Sequence, residues 1–231
     1  TTIYLGFIHI ANLERKVALA IVEERLRDGD YRSLRDFVNR IDISKEQLEI
    51  LIRIGAFRFT GMNKYELMWE KNAVHNPLIK HMHCATFFDT ETEEYNLPVL
   101  AETEHEQAFD EIELLGFPLC SPFDLLQTKF RGDITSARMT DNLGKTVRMV
   151  GYYVCRKWVT TVRGDIMNFG TMTDAEGRFF DTVHFPLSLA RYPFKGKGCY
   201  LVLGKVVEDF GFPSLEVSKM EKLPWVKDGR Y

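Results

Sequence analysis

The chain has 231 residues, 45% of them hydrophobic and 27% charged, which is ordinary for a globular protein with a buried core. That length suits one large domain or two small ones, and no run of about 18 apolar residues occurs, so no membrane-spanning helix is expected. The net charge of −3 hides an asymmetry: residues 1–70 carry 11 basic and 11 acidic side chains, residues 71–125 carry 2 and 11, and residues 126–231 carry 17 and 11. A basic segment beside an acidic one is compatible with a polyanionic partner. Four cysteines, Cys84, Cys120, Cys155 and Cys199, stand far apart without a CxxC pair, as in a reduced, cytoplasmic protein. The start, Thr1-Thr2-Ile3-Tyr4, has neither an initiator Met nor a signal pattern and reads as a cut inside a longer protein.

The first third reads as helical. From Ala11 to Arg27, the residues Leu13, Val17, Ala20, Ile21 and Leu26 recur near one face with a period close to 3.6, and Asp28-Gly29-Asp30 stops the run. Ser33 caps a second helix with Leu34, Phe37, Val38 and Ile41 on its apolar stripe. Ser44 and Gln47 form a capping-box pattern for a third, carrying Leu48, Leu51 and Ile52 and broken at Gly55. A fourth begins at Asn63. Residues 76–110 are acidic and weakly periodic, with Pro77, Pro98 and a Glu/Thr-rich run at 90–94, and the region 76–140 reads as an acidic, partly irregular linker. Phe109 to Leu126, within it, is more apolar and is expected to pack on a neighbour.

After Lys145 the period changes to that of strands: 147–154, a hairpin of 159–162 and 166–172 about Arg163-Gly164-Asp165, then 179–185, 199–208 and 215–223. A short helix is expected at 186–192. Five strands with a helix between the third and fourth is the order of an OB-fold barrel. The chain is therefore expected to be α+β with two domains: an all-α part over 1–75, the linker over 76–140, and the barrel over 141–231.

Several segments resemble, in order, the C-terminal region of bacterial DNA polymerase III alpha subunits. They are Tyr31 to Phe37, Leu48 to Phe57, Gly61-Met62-Asn63-Lys64, Glu113 to Leu119, Asn168 to Asp174, and Thr182 to Pro186. The absence of a long tail after the barrel is similar to the Bacteroidetes form. The resemblance implies tandem helix-hairpin-helix motifs that grip duplex DNA, a peptide for the sliding clamp, and an OB domain near the single-stranded template. Its partners would be primer–template DNA, single-stranded DNA, the clamp and other replisome subunits. The parent would be a DNA-directed DNA polymerase, a nucleotidyltransferase using magnesium and carboxylates that lie outside this chain. This chain itself has no catalytic constellation, no phosphate loop and no cofactor motif.

In a helix-hairpin-helix, a glycine turn brings backbone N–H groups to a phosphate, and the next helix adds its positive end. Arg53, Gly55, Arg58, Gly61 and Lys64 are the candidate residues; the simpler reading of Gly55 is a helix C-cap. The first hairpin, Ile10 to Arg15, has no glycine where the family has them and is expected to act as scaffold. On the barrel, Arg156, Lys157, Trp158, Arg163 and Arg178 are the candidates for single-strand contact, since rings stack bases and cations track the backbone. Phe169 and Phe185 are expected in the core. Phe87 and Phe88 occupy the clamp-peptide position, with Cys84 where glutamine is usual. His75, His81, His83 and Cys84 match no common zinc spacing, and no metal is expected. Two other parents fit the pattern. One is an error-prone alpha-like polymerase, suggested by Tyr65 to Trp69. The other is a protein-interaction scaffold or tRNA-synthetase-like OB module.

Overall fold

The computed structural model describes residues 5–74, 105–209 and 211–230. They fall in two compact units, Thr1–Leu119 with Asp228–Tyr231, and Cys120–Lys227. The expected clamp residues Phe87 and Phe88, and the histidines at 75, 81 and 83, lie outside the described residues.

The helical unit contains α1 (Arg15–Asp28), α2 (Leu34–Arg40), α3 (Lys45–Arg53), α4 (Lys64–Val74) and α5 (Glu106–Leu115). Leu34, Phe37, Leu48, Leu51, Ile52 and Phe57 form its core, and Phe37 meets Tyr31 and Phe57 edge to face. Two helices start at serines, as expected. Ser33 Oγ accepts from the Asp36 N–H at 3.0 Å, and Ser44 Oγ from the Gln47 N–H at 3.3 Å. Gln47 does not complete a box. Its carboxamide instead accepts from the Glu14 N–H at 2.7 Å and donates to the Asn12 carbonyl at 2.9 Å, clamping the first hairpin to α3. The reciprocal box lies at α4. The Glu66 N–H donates to Asn63 Oδ1 at 2.9 Å, and the Asn63 N–H to Glu66 Oε2 at 2.7 Å.

The second unit is a closed five-stranded barrel of β1 (Thr146–Thr160), β2 (Ile166–Thr173), β3 (Phe179–His184), β4 (Cys199–Asp209) and β5 (Phe212–Lys222), with α6 (Pro186–Arg191) between β3 and β4. The order around the barrel is β1-β2-β3-β5-β4, with β3 and β5 parallel and the other neighbours antiparallel. This is the OB arrangement. One long strand closes it. The first half of β1 pairs with β4, a bulge falls between Tyr153 and Cys155, and the second half pairs with β2. Met149, Met172, Tyr200, Val202, Val206 and Leu215 fill the interior.

The stretch read as linker is ordered structure where it is described. Residues 105–119 belong to the helical unit, with α5 packed on α3, and 120–140 belong to the barrel unit. There Phe123 and Leu126 pack with Val150 and Cys199. The acidic composition of 105–119 does not mark solvation: its carboxylates face basic side chains such as Arg53, a partnership across more than fifty residues that local periodicity does not carry.

Gly204 of β4 stands opposite Val217, beside a bulge in the β4–β5 ladder. A Cβ there would lie 2.5 Å from the Glu216 carbonyl oxygen, part of the paired backbone. Gly204→Ala is expected to destabilise the barrel by about 1–3 kcal/mol, the usual range for overpacking, read as a lower urea midpoint with an unchanged slope.

Candidate nucleic-acid interface

Gly55 has φ +73° and ends α3. The Ala56 N–H donates to the Leu51 carbonyl and the Gly55 N–H to the Ile52 carbonyl, both at 2.9 Å, the two bonds of a Schellman C-cap. Gly61 closes the following turn in the left-handed region, with its N–H on the Arg58 carbonyl. The Met62 and Asn63 N–H groups go to Thr60 Oγ1 and to Glu66. The amides expected to cradle a phosphate are thus bonded within the turn, and a carboxylate already sits at the positive end of α4. In the first hairpin, the Ala11 N–H is bonded to the Leu114 carbonyl at 2.7 Å.

The cations of this region face α5. Lys64 is buried, and its ammonium donates to Glu106 and, at 2.8 Å, to Asp110. Arg53 donates from Nε to Asp110 at 2.7 Å and forks onto Glu113. Arg230 reaches Asp110 at 2.6 Å and Glu113 at 3.1 Å. Tyr65 Oη donates to Glu106 at 2.8 Å. Burial works against the charged form of Lys64, but its bonds to Asp110 and Glu106 outweigh that and raise it above its ordinary value. Arg53 hydrogen bonding holds Glu113 below the usual carboxylate range. Of the three cations read as phosphate contacts, Arg58 keeps a side chain 67% exposed, with Glu111 at 3.9 Å.

The barrel presents a different surface. Along β2, Asn168, Gly170 and Met172 are buried, so the alternate residues Met167, Phe169 and Thr171 point outward. Lys157, Phe169 and Val183 form one row across β1, β2 and β3. Phe169 is 43% exposed and belongs to this outer face rather than the core, and Phe185 is 44% exposed. Inward parity falls on Asn168, Gly170 and Met172 in β2 and on Phe180, Thr182 and His184 in β3, so Phe169 takes the outward parity, and Phe185 follows the inward His184 as the cap of α6. Phe179 is 66% exposed and Phe212 77%. They lie two positions before Asp181 and Ser214, which pair in the parallel β3–β5 ladder. Phe212 is not a candidate on sequence alone; its exposure becomes legible only once β5 is known to begin there.

Arg163 is exposed at the β1–β2 turn, and Lys157 and Arg178 are exposed beside these rings. Asp174 fixes the Arg178 turn by accepting from the Glu176 and Arg178 N–H groups at 3.0 Å each. Trp158 is 55% exposed, and the Arg156 guanidinium stacks 4.4 Å from its ring centre. Arg156 and Trp158 lie in register with Gly170 and Asn168, hence on the inward face, apart from Lys157 and Phe169. The outer face also carries Asp181, bonded to Thr171 at 2.8 Å, so its charge is mixed and its rings are its distinguishing feature. Among the described residues, no helix is long and apolar enough to cross a membrane, and no group of three His, Cys, Asp or Glu could hold a metal ion.

Two expectations follow. Asp110 is 1% exposed and faces Lys64, Arg53 and Arg230. Asp110→Ala is expected to cost about 3–5 kcal/mol of helical-unit stability, the usual result of breaking a buried ion pair, read by denaturant unfolding. In the barrel, burial pushes the His184 imidazole down to about 4. The folded ring stays neutral while the unfolded one charges below its ordinary value near 6.5. The neutral ring's contribution is therefore complete above pH 6.5 and is lost as pH falls toward 4. Barrel stability is expected to fall by roughly 2 kcal/mol more between pH 7 and pH 5 than in His184→Gln, measured by urea midpoints.

The family described as Helix-hairpin-helix motif matches residues 1–67. The DNA polymerase III subunit alpha of Treponema pallidum is 28% identical over 206 residues, covering 80% of this chain and 17% of that protein. The Chlamydia muridarum DNA polymerase III subunit alpha is 50% identical over 48 residues, 20% of this chain and 4% of that protein. The error-prone DNA polymerase of Mycolicibacterium paratuberculosis is 33% identical over 73 residues, 32% of this chain and 7% of that protein. The chain thus spans less than a fifth of the length of these relatives. They do not bear on the Bacteroidetes form. By its motif and these relatives, the chain is similar to the helix-hairpin-helix region of DNA polymerase III alpha subunits, followed by a five-stranded barrel.

Proposed function

We propose that this chain is a DNA-binding module of a replicative DNA polymerase III alpha subunit, whose barrel holds the single-stranded template. The observation that carries this is the outward parity of β2 and β3. Phe169 and Phe179 stand exposed on strands whose alternate residues are buried, with Lys157 paired opposite Phe169, Arg178 next to Phe179 in the chain and Arg163 exposed at the β1–β2 turn. Exposed rings beside cations suit a single strand, because every base has a face to stack and the phosphates follow the charges. Duplex contact through the second helix-hairpin-helix rests on Arg58, since Arg53 and Lys64 are engaged by α5. Such contacts position the molecule without reading sequence.

The sliding clamp, through Phe87 and Phe88, and other replisome subunits belong to this reading as partners, in the cytoplasm. Nucleotide addition and its magnesium would belong to the larger protein. The 33% identity to an error-prone polymerase supports a second reading, a module of a damage-tolerance polymerase.

Fluorescence anisotropy of the whole chain with a labelled oligothymidine and with a blunt duplex, over a salt series, tests the proposal. The single strand is expected to bind more tightly. Phe169→Ala with Phe179→Ala is expected to weaken it at least tenfold, since a stacked base is worth about 1–3 kcal/mol. Lys157→Ala with Arg163→Ala is expected to reduce the salt slope by about 1.4. Binding of both DNAs unchanged by the ring substitutions would overturn the barrel face as the site.

A further inference from the structure

Asn168 and His184 are fully buried cross-strand partners on the inward face of β2 and β3. Both polar atoms of the Asn168 carboxamide, and Nδ1 of His184, have no hydrogen-bond partner. Buried polar side chains nearly always find one. The neighbouring bonds assign the imidazole its tautomer. Thr182 Oγ1 donates to the Gly170 carbonyl at 2.9 Å, so its hydrogen is engaged. His184 Nε2 lies 3.0 Å from that same oxygen and must donate to it. The neutral ring then presents Nδ1 as a bare acceptor. Asn168 and His184 together offer two acceptors, Oδ1 and Nδ1, and one donor group, the Asn168 amide.

An aromatic ring packs against the imidazole of this pair. Phe194 lies 4.6 Å from the His184 ring centre, 5.3 Å from Tyr153 and 5.3 Å from the Arg156 guanidinium. Gly170 leaves room for it: a Cβ there would stand 3.0 Å from Phe194 Cζ and 2.7 Å from Thr182 Oγ1. Arg156 stacks on both Phe194 and the exposed Trp158, so that ring adjoins the solvent-facing rim.

We propose that this notch is a nucleobase site that reads an exocyclic amino group, with Phe194 holding the place that the base takes when the side chain swings out. Adenine and cytosine each set an amino group beside a ring nitrogen. The amino group has two hydrogens, one for Asn168 Oδ1 and one for His184 Nδ1, and the ring nitrogen accepts from the Asn168 amide. Thymine presents a ring N–H and carbonyls, and leaves one of the two acceptors without a donor. Arg156 stacks on the inserted base as it does on Phe194. The inference rests on the barrel as a single-strand binder and adds base preference to it.

The test uses the whole chain and free nucleosides, which lack the phosphates that the outer face would hold. Phe194→Ala opens the notch. It is expected to bind deoxycytidine or deoxyadenosine at least tenfold more tightly than thymidine, with the Asn168 side-chain amide resonances shifting in proton–nitrogen spectra. Adding Asn168→Leu, which removes the carboxamide at similar volume, is expected to abolish that preference while thermal stability holds or rises. A folded Phe194→Ala protein that takes up no nucleoside overturns the site, as does a preference that survives Asn168→Leu. Should Phe194→Ala fail to fold, unsubstituted protein saturated with oligodeoxycytidine decides: Asn168 amide resonances that do not move overturn the proposal. Oligonucleotide binding that persists with those resonances unmoved leaves the outer face standing as the binding site. Nucleoside binding without oligonucleotide binding would instead keep the notch and remove the outer face as a single-strand site.

Discussion

A carboxylate cannot be buried alone, and the helical unit is arranged around that constraint at Asp110. Moving an ion from water to the interior costs several kcal/mol even after relaxation, and the cost is recovered only by close, well-aligned partners. Asp110 meets it with Lys64 on one oxygen and Arg53 and Arg230 on the other. Each partner comes from a different segment: the end of α3, the start of α4 and the chain's last residues. Glu106 and Glu113 lie four and three residues either side on α5, so one helix face collects the charges. The same arrangement engages Arg53 and Lys64 at the second hairpin and leaves Arg58 as its exposed cation. The motif's form is kept, with its glycine turn and following helix, while α5 supplies the anion.

The barrel separates two kinds of surface by strand parity. Inward positions of β4, β5 and the first half of β1 are apolar and make most of the core. Inward positions of β2 and β3 add the polar Asn168, Thr182 and His184 beside Met172 and Phe180, while Phe169 and Phe179 face out. A shift of one residue would exchange the two sets. The sheet is closed, so no edge allows such a slip, and the register that exposes Phe169 is the register that buries His184.

Much of this is legible in the sequence, and the failures have physical causes. Ser33 and Ser44 mark helix starts because a cap is a local interaction, spanning three residues. The five strands and the short helix at Pro186 are legible because period and turn chemistry are local as well. At Gly55 the sequence leaves phosphate cradle and C-cap both open, and only the two bonds to Leu51 and Ile52 decide for the cap. Gln47 resembles half of a capping box, but its carboxamide serves Asn12 and Glu14 more than thirty residues away. Acidic residues 106–113 fall in a stretch that reads as a partly irregular linker because their basic partners are separated from them by as many as 120 residues.

Aromatic residues are the hardest to place. Hydrophobicity alone puts a phenylalanine in the core, and so it misplaces Phe169 and Phe185. The information that reverses this lies in their neighbours. A strand that reads Asn168, Phe169, Gly170, Thr171 has its smallest and most polar residues at one parity. If those go inward, the interior there is polar and tight, and the ring must go out. Gly170 meets that requirement, because its missing side chain is where Thr182 and Phe194 approach. A glycine and a buried carboxamide sharing one face of a strand thus signal a place where another ring comes close, and in β2 that face and the exposed phenylalanine face are the two sides of one ribbon.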